Sequence, residues 1–384
     1  MTGQALRRSN ATNRLAAVAF VAALAVGGFG APPASAASAA SVTVTEDSLS
    51  INPSAPATSS SVRATLVVHA SGTLPVQALT VAVRSSGGAG YDFTGAEAVT
   101  LTTSKLTFQP NAETFPAGTY TYFGAYEVGG VWTNLPSKTF LVKPPAGAAP
   151  AGIPGSWNST FDDEFDEGSL ANDHNWSTVS PFGRWGSANN TWCSTGPTQQ
   201  ITGGELVLQE LNEACDGSSS ALTGGIVSTG PGYATNPVTL SPGDAVEAEV
   251  YASPGSKGIT NWPAFWLDGQ DPWPSNGEID AMEGLDGSAC YHIHWGTPAN
   301  PQAAGGCPTG DHTGWHTYGA DWQADGTVVF YYDGTEVGSE YLNTASPQYI
   351  VLDLASANDS GATTTTGTAG EMKVAYVRAW QPAS

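Results

Sequence analysis

Positive charge is scarce in this chain. Only 12 of its 384 residues are lysine or arginine, against 34 aspartates and glutamates, which gives a formal net charge of −22. Proteins that bind the phosphate backbone of nucleic acids need clusters of basic side chains, and anionic membrane surfaces attract the same clusters. The composition therefore excludes nucleic acid as a partner and disfavours an anionic membrane surface.

Charged residues of both signs are few as well. They make up 12% of the chain, whereas glycine and proline number 46 and 26. Long surface helices need many charged side chains, while glycine and proline favour turns between short strands. No segment of useful length has the period of a helix. The sequence therefore predicts an all-β protein.

A long apolar run occurs only near the N-terminus. Residues 15–29 are mostly apolar, three arginines precede them, and the small residues Ala-Ser-Ala follow at 34–36. This order is typical of a secretory signal peptide. A membrane anchor is disfavoured because the run is short, contains glycine and is followed by proline. We expect residues 1–36 to be cleaved and the mature protein to be secreted, extracellular and free of the membrane.

Cysteine is equally rare. Four cysteines occur in the chain: Cys193, Cys215, Cys290 and Cys307. Four cysteines allow three pairings. We expect Cys193 to pair with Cys215 and Cys290 with Cys307, because these pairs close the shorter loops. A zinc site is the alternative, and it is disfavoured by the lack of CxxC spacing and by the expected secretion.

Charge divides the mature chain into two regions. Residues 41–143 carry six acids and five bases, whereas residues 155–384 carry 28 acids, four bases and eleven of the twelve tryptophans. The segment between them, residues 144–154, is rich in proline, alanine and glycine, which is typical of a semi-extended linker. We therefore predict two domains, at 41–143 and 155–384.

The first region has the pattern of a small sandwich. It contains roughly seven short runs of alternating apolar and polar residues and no cysteine, which predicts an immunoglobulin-like or fibronectin-like β-sandwich. Its notable aromatic residues are Tyr91, Phe93, Tyr122 and Trp132. They could form a sugar-stacking face or pack in the core, and we favour core packing.

The most informative stretch is residues 277–284, Gly-Glu-Ile-Asp-Ala-Met-Glu-Gly. Side chains alternate along a strand, so Glu278 and Asp280 share one face. Glu283 joins them only if the strand carries one extra residue, a β-bulge, at 281–282. Close carboxylates keep one of the group protonated near neutral pH, and a protonated carboxyl beside an ionised one is what glycoside hydrolysis requires. A solvated acidic strand and a calcium site are the alternatives.

The residues upstream distinguish these alternatives. Residues 262–267, Trp-Pro-Ala-Phe-Trp-Leu, end eleven positions before Glu278. Together the two stretches resemble glycoside hydrolase family 16, and most closely its laminarinase-type members, whose motif has the extra bulge residue. Further segments are similar to the family's strands in the same order: 161–166 with Trp176, 203–208, 315–322, 332–334 and 376–380.

The resemblance implies a β-jelly-roll sandwich of two curved antiparallel sheets, the concave one forming an open groove. It also implies a retaining mechanism. Glu278 would be the nucleophile and Glu283 the acid and then the base, while Asp280 would lie between them and hold Glu278. Carboxyls only about 5–5.5 Å apart, as adjacent acids on one strand suggest, leave no room for the water of an inverting enzyme.

The resemblance further implies which residues bind the substrate, through stacking of sugar faces on indole rings and hydrogen bonds to hydroxyls. They are Trp262, Trp266, His294, Trp295, Arg184, Asn190 and Trp192. His292 and His294 share a face, and His294 is expected near Glu283. Metal ligation by the two histidines is not expected, because no third ligand is evident. The sequence at 190–194, Asn-Thr-Trp-Cys-Ser, departs from the family's usual Asn-Glu-Leu-Gln-Tyr, which leaves the bound glycan open.

No cofactor is expected. Family members often carry a structural calcium, and here Glu164 and a carbonyl near Gly204 match two of its ligand positions. Ala375, however, stands where the third ligand is usually an aspartate of the last strand. The resemblance therefore gives weak support to a calcium site and none to a catalytic metal.

The function that these observations predict is that of a secreted, monomeric endo-glycosidase acting on a neutral polysaccharide. The resemblance to laminarinase-type members implies β-1,3-glucan or mixed-linkage β-1,3-1,4-glucan as the substrate. The acidic second region repels polyanionic glycans, which favours a neutral polysaccharide. The alternatives are an endo-β-galactanase or a transglycosylase of the same fold. A non-catalytic glucan-binding protein is disfavoured, because both glutamates are present.

Overall fold

The computed structural model describes residues 42–383 except positions 55, 86–87, 183–185, 188–189, 192–197, 213–222, 271 and 356–369. The predicted signal peptide lies outside the described residues. Those that are described form strands and turns without an α-helix, which agrees with the high content of glycine and proline. Within this part of the chain, no helix is long and apolar enough to cross a membrane.

Seven strands make up the first β-sandwich. They are β1 (Val44–Asn52), β2 (Arg63–Ala70), β3 (Leu74–Ser85), β4 (Glu97–Leu101), β5 (Leu106–Phe108), β6 (Gly118–Val128) and β7 (Val131–Val142). Strands β1, β2 and β5 form one antiparallel sheet, and β4, β3, β6 and β7 form the other. The two sheets enclose a core that includes Leu66, Val81 and Phe108. The assignment to an immunoglobulin-like or fibronectin-like domain stays a prediction.

The four aromatic residues of this sandwich separate into two pairs. Phe93 and Tyr122 are buried in its core, as core packing predicts. Tyr91 and Trp132 are exposed, Trp132 with half of its surface open to solvent. A common sugar-stacking face of all four residues is therefore wrong, and core packing is wrong for Trp132.

The second sandwich contains the remaining strands of the described residues. They are β8 (Trp157–Asp163), β9 (Gly186–Ser187), β10 (Asn190–Thr191), β11 (Gln199–Thr202), β12 (Glu205–Glu210), β13 (Gly225–Ser228), β14 (Thr239–Leu240), β15 (Ala245–Ala252), β16 (Pro254–Gly255), β17 (Gly258–Ile259), β18 (Trp262–Gly269), β19 (Glu278–Leu285), β20 (Ser288–Thr297), β21 (Asn300–Gly306), β22 (Gly314–Trp322), β23 (Thr327–Tyr332), β24 (Thr335–Tyr341), β25 (Gln348–Ala355) and β26 (Gly370–Pro382).

Two large antiparallel sheets form this sandwich, while β9 with β10 and β16 with β17 make separate two-stranded sheets. One has the order β11-β12-β26-β15-β22-β23-β24, with β8 beside β26, and we call it the outer sheet. The other has the order β13-β25-β18-β19-β20-β21, with β14 beside β25, and we call it the groove sheet. Alternating apolar side chains of both sheets, among them Phe265, Met282 and Phe330, pack between them. The predicted all-β jelly-roll is confirmed, and its groove sheet carries the acidic stretch at its centre.

The segment 144–154 is not a free spacer between the sandwiches. It lies on the outer sheet, where Trp380 donates its indole N–H to the carbonyl of Ala148 at 2.9 Å and Glu247 accepts from the amide of Ala151 at 2.7 Å. Ile153 is buried against Tyr331. The proline- and glycine-rich composition predicted the extended backbone but not these partners, which come from strands far away in the sequence.

Candidate active site

Strand β19, which carries the three acids, lies between β18 and β20 in the groove sheet. Between Asp280 and Glu283, β19 has one residue more than the stretch of β20 that it faces, so the predicted β-bulge is confirmed. Ala281 and Met282 both pack in the core between the sheets. The bulge thus places two consecutive apolar side chains inward and lets Glu283 share the groove face with Asp280.

Both carboxylate oxygens of Glu283 have a partner. Trp262 donates its Nε1–H to Oε1 at 3.1 Å, and Nδ1 of His292 lies 2.7 Å from Oε2. Trp262 belongs to β18 and His292 to β20, so the two flanking strands hold Glu283 from both sides. The hydrogen bond to Glu283 raises the pKa of His292. His292 therefore keeps its proton to higher pH than an isolated imidazole would.

Glu278, at the start of β19, has a different set of partners. Trp273 donates its Nε1–H to Oε2 at 2.8 Å, and Nε2 of His294 lies 3.5 Å from Oε1. The preceding Gly277 has a φ of +82°, and a Cβ there would lie only 2.7 Å from the side chain of Thr344. Glycine is therefore required where the chain turns from the loop of Trp273 into β19.

Asp280 lies between the two glutamates, and only 6% of its side chain is exposed. One of its oxygens lies within 4.8 Å of an oxygen of Glu278, and the same holds toward Glu283. Burial and then the charge of Glu283 raise the pKa of Asp280 well above its usual range. Burial and then the charge of Asp280 do the same to the pKa of Glu278. The charge of Asp280 thus opposes the ionisation of Glu278, so these two carboxyls titrate as a coupled pair.

Two further buried carboxylates lie on neighbouring strands. Asp268 of β18 lies opposite Glu278 in the register of β18 and β19. Its carboxylate accepts a hydrogen bond from the hydroxyl of Tyr349 at 2.7 Å. Asp353 of β25 accepts from the indole of Trp266 at 2.7 Å. The charge of Asp268 helps to raise the pKa values of Glu278 and Asp280, and the charge of Asp353 helps to raise that of Asp280. Neither aspartate could be recognised as a site residue from the sequence, because each is a single acid next to an apolar run.

The comparison with protein families decides among the interpretations of this acidic strand. Residues 246–305, which span the three acids and both histidines, match the family model described as an XgeA-like catalytic domain of glycoside hydrolase family 16. Over these residues, the chain matches a family 16 catalytic domain. It is therefore a glycoside hydrolase, and the resemblance found in the sequence is confirmed.

Several solved structures are similar to the family 16 domain. An endo-β-1,3-glucanase from Pyrococcus furiosus is 25% identical, and the match covers 62% of this chain and 100% of that one, with a TM-score of 0.49. A laminarinase from Thermotoga petrophila RKU-1 is 20% identical over 60% of this chain and 100% of its own, with a TM-score of 0.49. The laminarinase catalytic domain from Thermotoga maritima MSB8 is 19% identical over 60% and 100%, with a TM-score of 0.48. Among curated proteins, no sequence matches the chain.

One predicted contact of the family 16 domain is wrong. His294 does not lie at Glu283; its Nε2 is 3.4 Å from Oδ2 of Asp280, and His292 contacts Glu283 instead. The reason is the antiparallel register of β19 and β20, in which a later residue on one strand faces an earlier residue on the other. Both imidazoles do share the groove face, as predicted.

The prediction that Trp295 binds substrate is also wrong. Trp295 alternates with His294 along β20, so its side chain points to the opposite face. There it packs against the core between the two sheets, together with Tyr291 and Ile293. Trp295 thus supports β20 from inside the sandwich and does not line the groove.

The two tryptophans of β18 differ in accessibility. Trp262 contacts Glu283 directly, whereas Trp266 is only 9% exposed. One face of Trp266 stacks on Phe182, with 5.2 Å between the ring centroids. Trp266 therefore offers a sugar little open ring surface, and a substrate contact through it stays a proposal.

Other predicted site residues cannot be compared with the structure. Arg184, Trp192, Cys193 and Cys215 lie outside the described residues, and so does the side chain of Asn190, whose backbone belongs to β10. The roles predicted for them, including the Cys193–Cys215 bridge, stay predictions.

Trp273 is a groove residue that the sequence analysis missed. It is 41% exposed, contacts Glu278 and lies with its ring centroid 5.8 Å from that of His294. An exposed indole at this place can stack on a sugar ring while its N–H orients the carboxylate. The signal in the sequence was the Trp-Pro pair a few residues before Gly277. Because the connection to the acids is so short, this indole has to lie near them in the groove.

The disulfide between Cys290 and Cys307 is present, with Cα atoms 4.1 Å apart, so this predicted pair is confirmed. Cys290 is the residue of β20 that faces Glu283. The bridge therefore fastens the strand that carries His292 to the segment after β21.

Three groups of side chains place donor atoms within 4.8 Å of one another: Glu278–Asp280–His294, Asp280–Glu283–His292 and Asp163–Glu167–Asp173. The first two supply the third ligand that the sequence analysis did not find beside the histidines. In the second group, the hydrogen bond between His292 and Glu283 is suited to proton transfer. In the third group, the carboxylate of Asp163 already accepts from the amide of Phe165 and from the side chains of Asn175 and Trp176.

Proposed function

We propose that the protein is a secreted, retaining endo-glycosidase that hydrolyses internal β-linkages of a neutral polysaccharide, β-1,3-glucan or mixed-linkage β-1,3-1,4-glucan. One observation carries the proposal: Glu278 and Glu283 lie on the same face of one strand, with Asp280 between them, and each has its own donors. Two carboxyls arranged in this way match the nucleophile and the acid of a retaining enzyme.

In the first step, a carboxylate oxygen of Glu278 forms a bond to the anomeric carbon while the bond from that carbon to the glycosidic oxygen breaks. Glu283 transfers its proton to the departing oxygen. The N–H of Trp273 holds Oε2 of Glu278, so the carboxylate keeps one orientation as it attacks. The product of this step is a glycosyl ester on Glu278.

In the second step, Glu283 is a carboxylate and takes a proton from water. The water oxygen bonds to the anomeric carbon, and the ester bond to Glu278 breaks. The anomeric carbon is inverted twice, which gives net retention. His292, at 2.7 Å from Glu283, keeps a proton within reach of this carboxyl in both steps.

The substrate class follows from charge and from the motif. Residues 155–384 carry 28 acids and four bases, a balance that repels polyanionic glycans. The preference for β-1,3-glucan rests on the resemblance of residues 262–267 and 277–283 to laminarinase-type members. Secretion rests on the predicted signal peptide.

The substrate is tested by product release from laminarin, lichenan, agarose and a β-galactan. We expect mixed oligosaccharides from laminarin and lichenan, with viscosity falling before many reducing ends appear, because cleavage occurs within the chain. Release from the galactan or agarose alone would contradict the glucan assignment. Products longer than the substrate, formed with added acceptor sugars, would indicate transglycosylation.

Asp280→Asn is expected to move the acid limb of the pH profile of kcat/KM to lower pH. The charge of Asp280 raises the pKa of Glu278, and Glu278 must be ionised to attack. Removing that charge lowers the pKa, so the active form persists to lower pH, although the overall rate also falls. Asp325→Asn removes one charge from an exposed turn of the outer sheet and should leave the limb unchanged. An acid limb that stays in place or rises in Asp280→Asn would contradict the coupling.

A further inference from the structure

Lys143 follows the last strand of the first sandwich and reaches into the second. It is only 7% exposed. Its ammonium donates to the backbone carbonyls of Glu164 and Gly204, each at 2.8 Å, and lies 3.7 Å from Oε2 of Glu164. Glu164 follows β8 and Gly204 lies in the turn between β11 and β12. One side chain thus ties two segments of the family 16 domain to the end of β7.

The surroundings of this ammonium are those of a cation site. Burial lowers the pKa of Lys143, while the carboxylates of Glu164, Glu205 and Asp166 oppose that shift. Arg378 pairs with Glu164 on its other side. Backbone carbonyls and carboxylates are also the oxygen ligands that hard cations such as calcium prefer in proteins.

The residues present do not fit the calcium that the family resemblance implies. Both carbonyls at the expected positions, Glu164 and Gly204, accept from Lys143. At the third position, Ala375 offers only a methyl group, which is buried in an apolar cluster with Leu141, Trp315 and Tyr376. Leu141 stands two residues before Lys143. The C-terminal end of β7 therefore covers Ala375 and also places the ammonium of Lys143 against the two carbonyls.

We propose that the ammonium of Lys143 serves as the permanent cation of this site, so that the family 16 domain needs no calcium but does need the chain up to Lys143 for full stability. The cation joins Glu164, beside the first strand of the domain, to Gly204 in an early hairpin. The inference adds to the predicted division at 144–154 that the second domain depends on the end of the first for its stability. It does not depend on the glycan that the enzyme cleaves.

The test is thermal unfolding of the full-length protein and three variants, with EDTA or with millimolar calcium. The wild type is expected to melt at the same temperature in both. Lys143→Ala should lower the melting temperature by on the order of 5–10 °C in EDTA, because two buried carbonyls and a carboxylate lose their cation. Calcium should restore much of this loss, since alanine leaves an oxygen-lined space.

Two variants serve as matched controls. Lys143→Met also loses the charge, but its side chain fills the space, so its melting temperature should fall and calcium should not restore it. Lys105→Ala removes a lysine of the same sandwich whose side chain is 66% exposed and paired with Asp47, and it should melt close to the wild type.

Three results would overturn the proposal. They are a wild-type melting temperature that rises in calcium, a Lys143→Ala variant as stable as the wild type, and a Lys143→Ala variant that calcium does not stabilise. Should Lys143→Ala fail to fold, titration calorimetry of the wild type with calcium decides. Stoichiometric binding would refute the ammonium as the resident cation, and the absence of binding would support it.

Discussion

The Glu278→Gln variant is expected to lose turnover on polysaccharide by roughly 10,000-fold or more, because an amide cannot form the glycosyl ester that the first step requires. Glutamine keeps the shape of the side chain and can still accept the hydrogen bond from Trp273. Initial rates of reducing-end release on the best substrate of the product screen would measure the loss.

Stability separates this loss from a folding defect. Burial and the charge of Asp280 raise the pKa of Glu278, so the ionised form is unfavourable in the folded protein, and the neutral amide should not lower the melting temperature at neutral pH. Glu336→Gln, at an exposed glutamate of β24, is the matched control and should retain wild-type activity. A Glu278→Gln variant that turns over at more than a few per cent of the wild-type rate would show that another group is the nucleophile.

The Glu283→Gln variant is expected to lose turnover on polysaccharide by about 100- to 10,000-fold, because the leaving oxygen is no longer protonated. An aryl glycoside whose leaving group needs no proton should still form the ester on Glu278. Added azide should then release the sugar faster, since azide attacks without needing a general base. The rate of aryl release with and without azide measures this effect.

Two comparisons control the interpretation. In the wild type, azide should have little effect, because Glu283 activates water in the second step. In Glu283→Gln, the loss on the aryl glycoside should be far smaller than on polysaccharide. Equal losses on the two substrates would contradict the role of Glu283 as acid.

The sequence was sufficient to predict the groove face of β19. Alternation placed Glu278 and Asp280 together, and the bulge at 281–282 followed from the need to bring Glu283 to the same face. These predictions succeeded because they depend on residues that are neighbours in the chain. The Cys290–Cys307 bridge succeeded for the same reason, since it closes a short loop.

Contacts between strands were harder to predict. The sequence shows that His292 and His294 share a face, but not which acid each one meets, because that depends on the register of β19 against β20. The inward position of Trp295 follows from simple alternation with His294, which the family resemblance overrode. Alternation was the better guide at this position.

Contacts between distant segments gave no sequence signal. Asp353 lies 70 residues after Glu283 and reaches the groove only because β25 pairs with β18. Lys143 looked like the last residue before a linker, and its buried position depends on three segments that meet only in the folded chain. The composition of 144–154 likewise gave no indication that its backbone would find partners on the outer sheet.

The configuration of the azide products tests the assignment of the two glutamates most directly, and proton NMR measures it. With the Glu283→Gln variant, a β-aryl glycoside and azide, we predict a β-glycosyl azide, because azide displaces Glu278 after a first inversion. With the Glu278→Gln variant we predict the α-glycosyl azide, because azide can only attack from the opposite face in a single inversion. The β-azide from Glu278→Gln together with the α-azide from Glu283→Gln would contradict the account and exchange the two roles.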